Sequence, residues 1–260
     1  MKTNGLVTKL KNLFAKGRGV GELVQLMKMS EEDPTDMRIK LKIGEIYFKK
    51  KQVDQGIAIF KEVGEHYIKE GFSLKAVAIY KNILKFSPGS VQFNENLAEL
   101  FTKLSMPEDA MTQYRIVINY YQTHQMKDDA VRVSRALVQL NPENIDNRLK
   151  LAELLNIYGK SEEAFAEYQL LAKDLRKDMK RLDLLVDIYE KIILKKPDEK
   201  GLLRELCIFY LKLRDPKKVL RKIERMKLKD DPEFAPIYEK ALSLEQTLAK
   251  NLENPESTHE

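Results

Sequence analysis

A spacing of 54 residues runs through this chain and constrains its fold more than any other feature. Pro34, Pro88 and Pro142 fall 54 residues apart, and Pro197 follows 55 later. The same step relates Gly44, Ala98 and Ala152, then Glu45, Glu99 and Glu153, then Gly56, Ala110 and Ala164, then Phe60, Tyr114 and Tyr168. Two further columns, Ala76–Ala130–Leu185 and Tyr80–Ser134–Tyr189, absorb a one-residue insertion late in the chain. Seven columns in phase exclude coincidence, so the chain is a tandem array. In such an array one unit cannot bury its apolar face alone; stacking against its neighbours supplies the core.

Each unit reads as three helices. The segment from Leu41 to Phe48 sets its apolar residues broadly on one helical face rather than in strand alternation. From Val53 to Lys69, the residues Ile57, Phe60, Val63, Tyr67 and Ile68 keep helical spacing. From Phe72 to Phe86 the same spacing runs until Ser87-Pro88-Gly89. Proline has no amide to donate and turns the preceding residue away from helix, so each recurring proline marks a helix end. Ser105-Met-Pro-Glu108 reads as a capping box, and Asp215-Pro216 as a cap with the first helical turn. The expectation is about 14 helices and no sheet, with two before Pro34, three triplets and three more from about 200 to 249.

These residues resemble the tetratricopeptide repeat, whose pattern W-x2-L-G-x2-Y, A-x3-F, P spans about 34 residues. Phe60-x2-Val63-Gly64-x2-Tyr67, Ala76-x3-Tyr80, Pro88 keeps that internal spacing. Tyr114 to Pro142 and Tyr168 to Pro197 repeat it more weakly, the latter with one inserted residue. A second set, offset by 20 residues, begins Lys40-x2-Ile43-Gly44-x2-Tyr47, Gly56-x3-Phe60. It recurs from Asn94, Arg148 and Leu203, without the final proline. The middle helix of each triplet therefore closes one repeat and opens the next.

The resemblance implies a curved right-handed α-solenoid of antiparallel helices, all-α, that binds rather than catalyses. On that basis residues 1–36 form an N-terminal helical cap, and 37–90, 91–144 and 145–199 the three triplets. Residues 200–250 form basic repeat-like helices, and 251–260 a polar, disordered tail. The long triplets look like those of bacterial tetratricopeptide adaptors in assembly, secretion, polarity or motility complexes. A protein partner is implied, with a small Ras-like GTPase or a response regulator among the candidates. Family members that clamp a peptide's terminal carboxylate use Lys and Asn on the first helix. Here those stretches offer Leu41 and Glu45, Glu95 and Glu99, Leu149 and Glu153, which disfavours such a clamp.

Composition points away from chemistry. One cysteine, Cys207, excludes a disulfide framework and a cysteine-based zinc site, and it falls in the small-residue packing column of Gly44. His66, His124 and His259 are too few and too scattered for a catalytic metal cluster. The Gly17–Gly21 cluster lacks a preceding strand and reads as a flexible connection, not a nucleotide loop. No catalytic residue, metal site or cofactor is expected. No apolar run approaches the roughly 18 residues of a spanning helix, and the start lacks the pattern of a signal peptide. A soluble, cytoplasmic protein follows as the expectation.

Three surface features remain for a partner. Glu45, Glu99 and Glu153 would form an acidic line if the units stack. The net charge of +6 conceals segregation: residues 1–20 carry five basic residues and no acid, residues 88–172 carry 8 basic and 12 acidic, and residues 173–229 carry 19 basic and 10 acidic. Lys212, Arg214, Lys217, Lys218, Arg221, Lys222 and Arg225 concentrate on one helix and its approach. Such a patch attracts an acidic protein, an anionic membrane surface or, as the alternative reading, RNA. The helix lacks the interleaved aromatics that RNA readers use for stacking, so nucleic acid is the disfavoured class. Finally, Leu6, Val7, Leu10, Leu13 and Phe14 oppose a set of lysines in an amphipathic helix. It is expected to cap the array, with a partner or a membrane surface as its other destination.

Overall fold

The computed structural model describes residues 20–177 and 179–253. Among them it contains 13 helices and no strand. They are α1 (Val20–Glu32), α2 (Met37–Lys49), α3 (Val53–Lys69), α4 (Ser73–Phe86), α5 (Val91–Lys103), α6 (Pro107–Thr123) and α7 (Lys127–Leu140). There follow α8 (Ile145–Ile157), α9 (Ser161–Leu175), α10 (Leu182–Lys195), α11 (Lys200–Lys212), α12 (Pro216–Arg225) and α13 (Ala235–Glu253). The amphipathic helix expected before residue 19, and the tail from 254 with His259, lie outside the described residues. Gly21, expected in a flexible connection, sits instead in the first turn of α1.

The chain divides into two compact units between Asn141 and Pro142. The first holds α1–α7 and the second α8–α13, and within each unit successive helices pack on one another. The all-α fold class is as the periodicity requires. Pro34, Pro88, Pro142 and Pro197 each stand two residues beyond a helix end, at Glu32, Phe86, Leu140 and Lys195.

Turns inside the triplets, except the longer one between α9 and α10, are three residues long and alike. Their middle residue is left-handed: Lys51, Ser105, Gly159 and Arg214 in one column, Gly71 and Gln125 in the other, with φ between 56° and 80°. The next amide reaches back five residues, from Gln52 to the Tyr47 carbonyl at 2.9 Å, Met106 to Phe101 at 2.9 Å, Lys160 to Leu155 at 2.8 Å and Asp215 to Tyr210 at 2.9 Å. This is the Schellman closure, which satisfies carbonyls that a helix end would leave bare. It also corrects one expectation. Ser105 does not cap α6: it is the left-handed residue that closes α5, and Met106 takes the cap position with no side-chain hydrogen bond. A three-residue turn has no spare position, so the closure of one helix overrides the capping box of the next. Asp215 does cap α12, accepting from the Lys218 amide at 3.2 Å.

The core follows the small-residue columns. Phe60 of α3 lies against Gly44 of α2, Phe48 of α2 against Gly56 of α3, and Tyr80 of α4 against Gly64 of α3. Helix α3 therefore offers a ring to the helix before it and a socket to the helix after it, the geometry of a helix shared between two overlapping repeats. Sizes compensate down one column: Gly64 faces Tyr80, and the equivalent positions are Ile118 with Ser134 and Ala172 with Tyr189. Leu23 of α1 joins Ile43 and Tyr47 of α2 in a buried cluster, flanked by Leu26, Met27 and Ile39.

Candidate interaction surfaces

Glu45 on α2 and Glu99 on α5 hold equivalent positions in the first unit, and both are exposed. Neither makes an ion pair with a described residue. Glu153 on α8 belongs to the second unit and differs in its surroundings. It accepts from Lys191 Nζ at 3.0 Å, and that ammonium also lies 5.3 Å from the centre of the Tyr168 ring. The repeat thus keeps the three acids in register while leaving only two of them with an uncompensated charge.

The basic residues sort into two sets. Lys222 of α12 pairs with Glu190 of α10 at 2.8 Å, and Glu190 also accepts from the Tyr210 hydroxyl. Lys218 pairs with Asp215 at 3.3 Å and stands over the Tyr210 ring. These two lysines fasten α12 to its own unit. Lys212, Arg214, Lys217, Arg221 and Arg225 are all exposed, and none forms an ion pair with a described residue. The candidate patch therefore reduces to five residues whose charge is available.

Tyrosine hydroxyls recur as donors to carboxylates that also hold a cation. Tyr121 donates to Glu95 at 2.6 Å while Arg132 reaches the same carboxylate at 2.6 Å. Tyr189 donates to Glu205 at 2.5 Å, and Arg176 reaches it at 3.0 Å. Burial and the carboxylate partner push both hydroxyls up, Tyr121 to about 12. Such groups are braces between neighbouring helices and are not poised to exchange protons at neutral pH.

Cys207 is fully buried, and desolvation pushes its thiol up to about 12. His124 stacks on Tyr120 with ring centres 3.9 Å apart, and its Nδ1 lies 2.8 Å from the Tyr120 carbonyl. Among the described residues, no group of three or more His, Cys, Asp and Glu is placed to hold a metal ion. No helix there is long and apolar enough to cross a membrane.

Among the grooves of the second unit, two differ widely in size. The smaller, about 190 Å³, is walled by Phe165, Tyr168 and Leu194 between lysines that are already paired with Glu153 and Glu162. The larger, about 710 Å³, opens between the α11–α12 turn and α13, with Leu213, Pro216, Leu248 and Ala249 beside Arg214 and Lys217. No sequence signal marks it, because α13 lies beyond the last column that keeps phase.

The tetratricopeptide-repeat family model matches residues 40–67, which run from Lys40 in α2 to Tyr67 near the end of α3. Residues 40–67 carry a tetratricopeptide repeat. The matched window is the offset set, opening at Lys40-x2-Ile43-Gly44-x2-Tyr47, and it contains the Gly44–Phe60 and Gly56–Phe48 contacts. Among solved structures, the chain is similar to the MamA protein at 20% identity, covering 75% of this chain and 94% of that one, with a TM-score of 0.24. It is also similar to the tetratricopeptide domain of P58(IPK), at 13% identity over 95% and 99% of the two chains with a TM-score of 0.25. PilF of Pseudomonas aeruginosa is 15% identical over 76% and 99%, with a TM-score of 0.33. No curated protein matches the chain.

Proposed function

We propose that this chain is a non-enzymatic, cytoplasmic scaffold that binds protein partners through the surface of its tetratricopeptide helices. The observation that carries the reading is the repeat at residues 40–67, set in an array whose in-phase aromatic and small side chains are consumed by packing. What remains outside the packing is charge: Glu45 and Glu99 on one unit, and five cations around α12 on the other. Unpaired, segregated charge speeds encounter with a complementary protein and selects against the wrong one. The finer proposal is an adaptor in a polarity, motility or assembly complex, with a small Ras-like GTPase or a response regulator as partner.

Replacing Glu45, Glu99 and Glu153 together by Lys tests the acidic positions. The account expects a basic partner to bind about tenfold or more weakly to a variant whose thermal unfolding is unchanged. Equal affinity would remove these positions from the interface. RNA binding by the basic third would instead give a salt-dependent shift with single-stranded RNA, abolished by neutralising Lys217, Lys218, Arg221 and Lys222.

A further inference from the structure

We infer that the groove between the α11–α12 turn and α13 receives an acidic amphipathic helix from a protein partner. The inference rests on the scaffold reading and names the chemistry of one partner. Lys217, Arg221 and Arg225 stand four residues apart on α12, so they form one stripe with a step of about 6 Å. Arg214 and Lys212 extend it past the helix start. The neighbouring stripe, Lys218 and Lys222, is taken up by Asp215 and Glu190, so the two faces of α12 have separate uses. One anchors the helix, and the other presents like charges four residues apart with no acid to relieve them.

The apolar half of the site lies at the Lys217 end of the stripe. Leu213 is 42% exposed at the rim of the groove, and Leu248 and Ala249 of α13 line it with Pro216. An α-helix presents carboxylates and leucines on adjoining faces at the same four-residue step, so one short helix satisfies both halves. Glu245 on the α13 wall fixes the orientation. The partner's carboxylates face α12, because on the opposite side they would meet a like charge. Nucleic acid fits less well. The aromatics nearest the stripe, Tyr210 and Tyr238, are buried and already lie beneath Lys218 and Lys229, leaving no ring on which a base can stack.

The test uses the full chain and a fluorescein-labelled synthetic helix of about 16 residues, with leucines on one face and glutamates on the other, followed by fluorescence anisotropy. Saturable, salt-sensitive binding is expected. Lys217→Glu combined with Arg221→Glu should weaken it about tenfold or more, Leu248→Asp should weaken it comparably, and Glu245→Gln should strengthen it about twofold. Circular dichroism establishes that each variant is folded, and Glu245→Gln, a surface change, keeps the test decisive if Leu248→Asp is not. Several results would overturn the proposal: no saturable binding; equal binding of a helix whose leucines are replaced by glutamine; tighter, competing binding of an oligouridylate; or self-association of the chain that Lys217→Glu abolishes. If the wild type and the doubly reversed variant capture the same proteins from the native cell, this site fails while the scaffold reading stands.

Discussion

The ring of Phe60 fills the space that a side chain on Gly44 would need: a Cβ there would stand 2.5 Å from Cδ2 and 2.6 Å from Cε2. Real Cβ atoms do not approach carbon so closely, and the obstacle is a fully buried ring rather than a mobile chain end. Gly44→Ala should therefore destabilise the chain by about 1–3 kcal/mol, the usual cost of forcing an extra carbon into a packed site. Ala98 occupies the equivalent position opposite Tyr114, so the array can accept a methyl after adjustment, which favours the lower part of that range. Gly201→Ala in α11, where a Cβ meets nothing, serves as the control and should be neutral or slightly stabilising. Urea unfolding measures both, and a neutral Gly44→Ala would refute the socket.

The left-handed turn residues give a prediction that separates strain from collision. A Cβ on Gly159 would touch nothing, yet its φ of +80° is one that other residues adopt at a cost. Gly159→Ala should lose about 1 kcal/mol, and Ser105→Gly and Gln125→Gly should gain about 0.5–1 kcal/mol by relieving the same strain. Thermal unfolding would expose the error if Gly159→Ala were neutral.

Much of this arrangement is legible in the sequence, because packing in a repeat writes itself as periodicity. Gly44, Phe60, Gly64 and Tyr80 all stand at positions of the repeat pattern, and the close contacts fall among those positions. The helix ends at the prolines were equally plain. The role of Ser105 was not, since a Ser-x-x-Glu pattern looks the same whether or not the preceding helix claims the serine for its own closure. Surface chemistry was the least legible. Lys217 and Lys218 are neighbours of one residue type, and only the positions of Asp215 and Tyr210 reveal that the second is engaged. The groove against α13 depends on a helix outside the repeat register, so no column pointed to Leu248.

Glu190 supplies a pH dependence. Burial raises its carboxyl pKa, but the hydrogen bonds from Lys222 and Tyr210 lower it by more, and it settles below the ordinary carboxylate value. A group with a depressed folded pKa contributes its full stability above its unfolded pKa and loses it as pH falls through the folded one. Wild-type stability should thus fall more steeply than that of Glu190→Gln as pH drops below the ordinary glutamate value of about 4.5 and through the depressed folded one. Parallel pH profiles for the two chains would contradict the pairing.

Cys207 should behave as a packed residue. With its thiol pushed up to about 12 by burial, it should resist a disulfide reagent in the native chain at about pH 8 and react on unfolding in urea. Full labelling of the native protein within the mixing time would show that the column of Gly44, Ala98 and Ala152 is open at this end.

The proposed role of this repeat-bearing chain is to hold other proteins. Affinity capture of the tagged full chain from its native cell, with cross-linking and identification of the bound species, tests it most directly. The account predicts one or a few proteins recovered in stoichiometric amounts. Their binding should be lost on reversing Glu45 and Glu99 or on reversing Lys217 and Arg221. Recovery of no stoichiometric protein, or of nucleic acid alone, would contradict it.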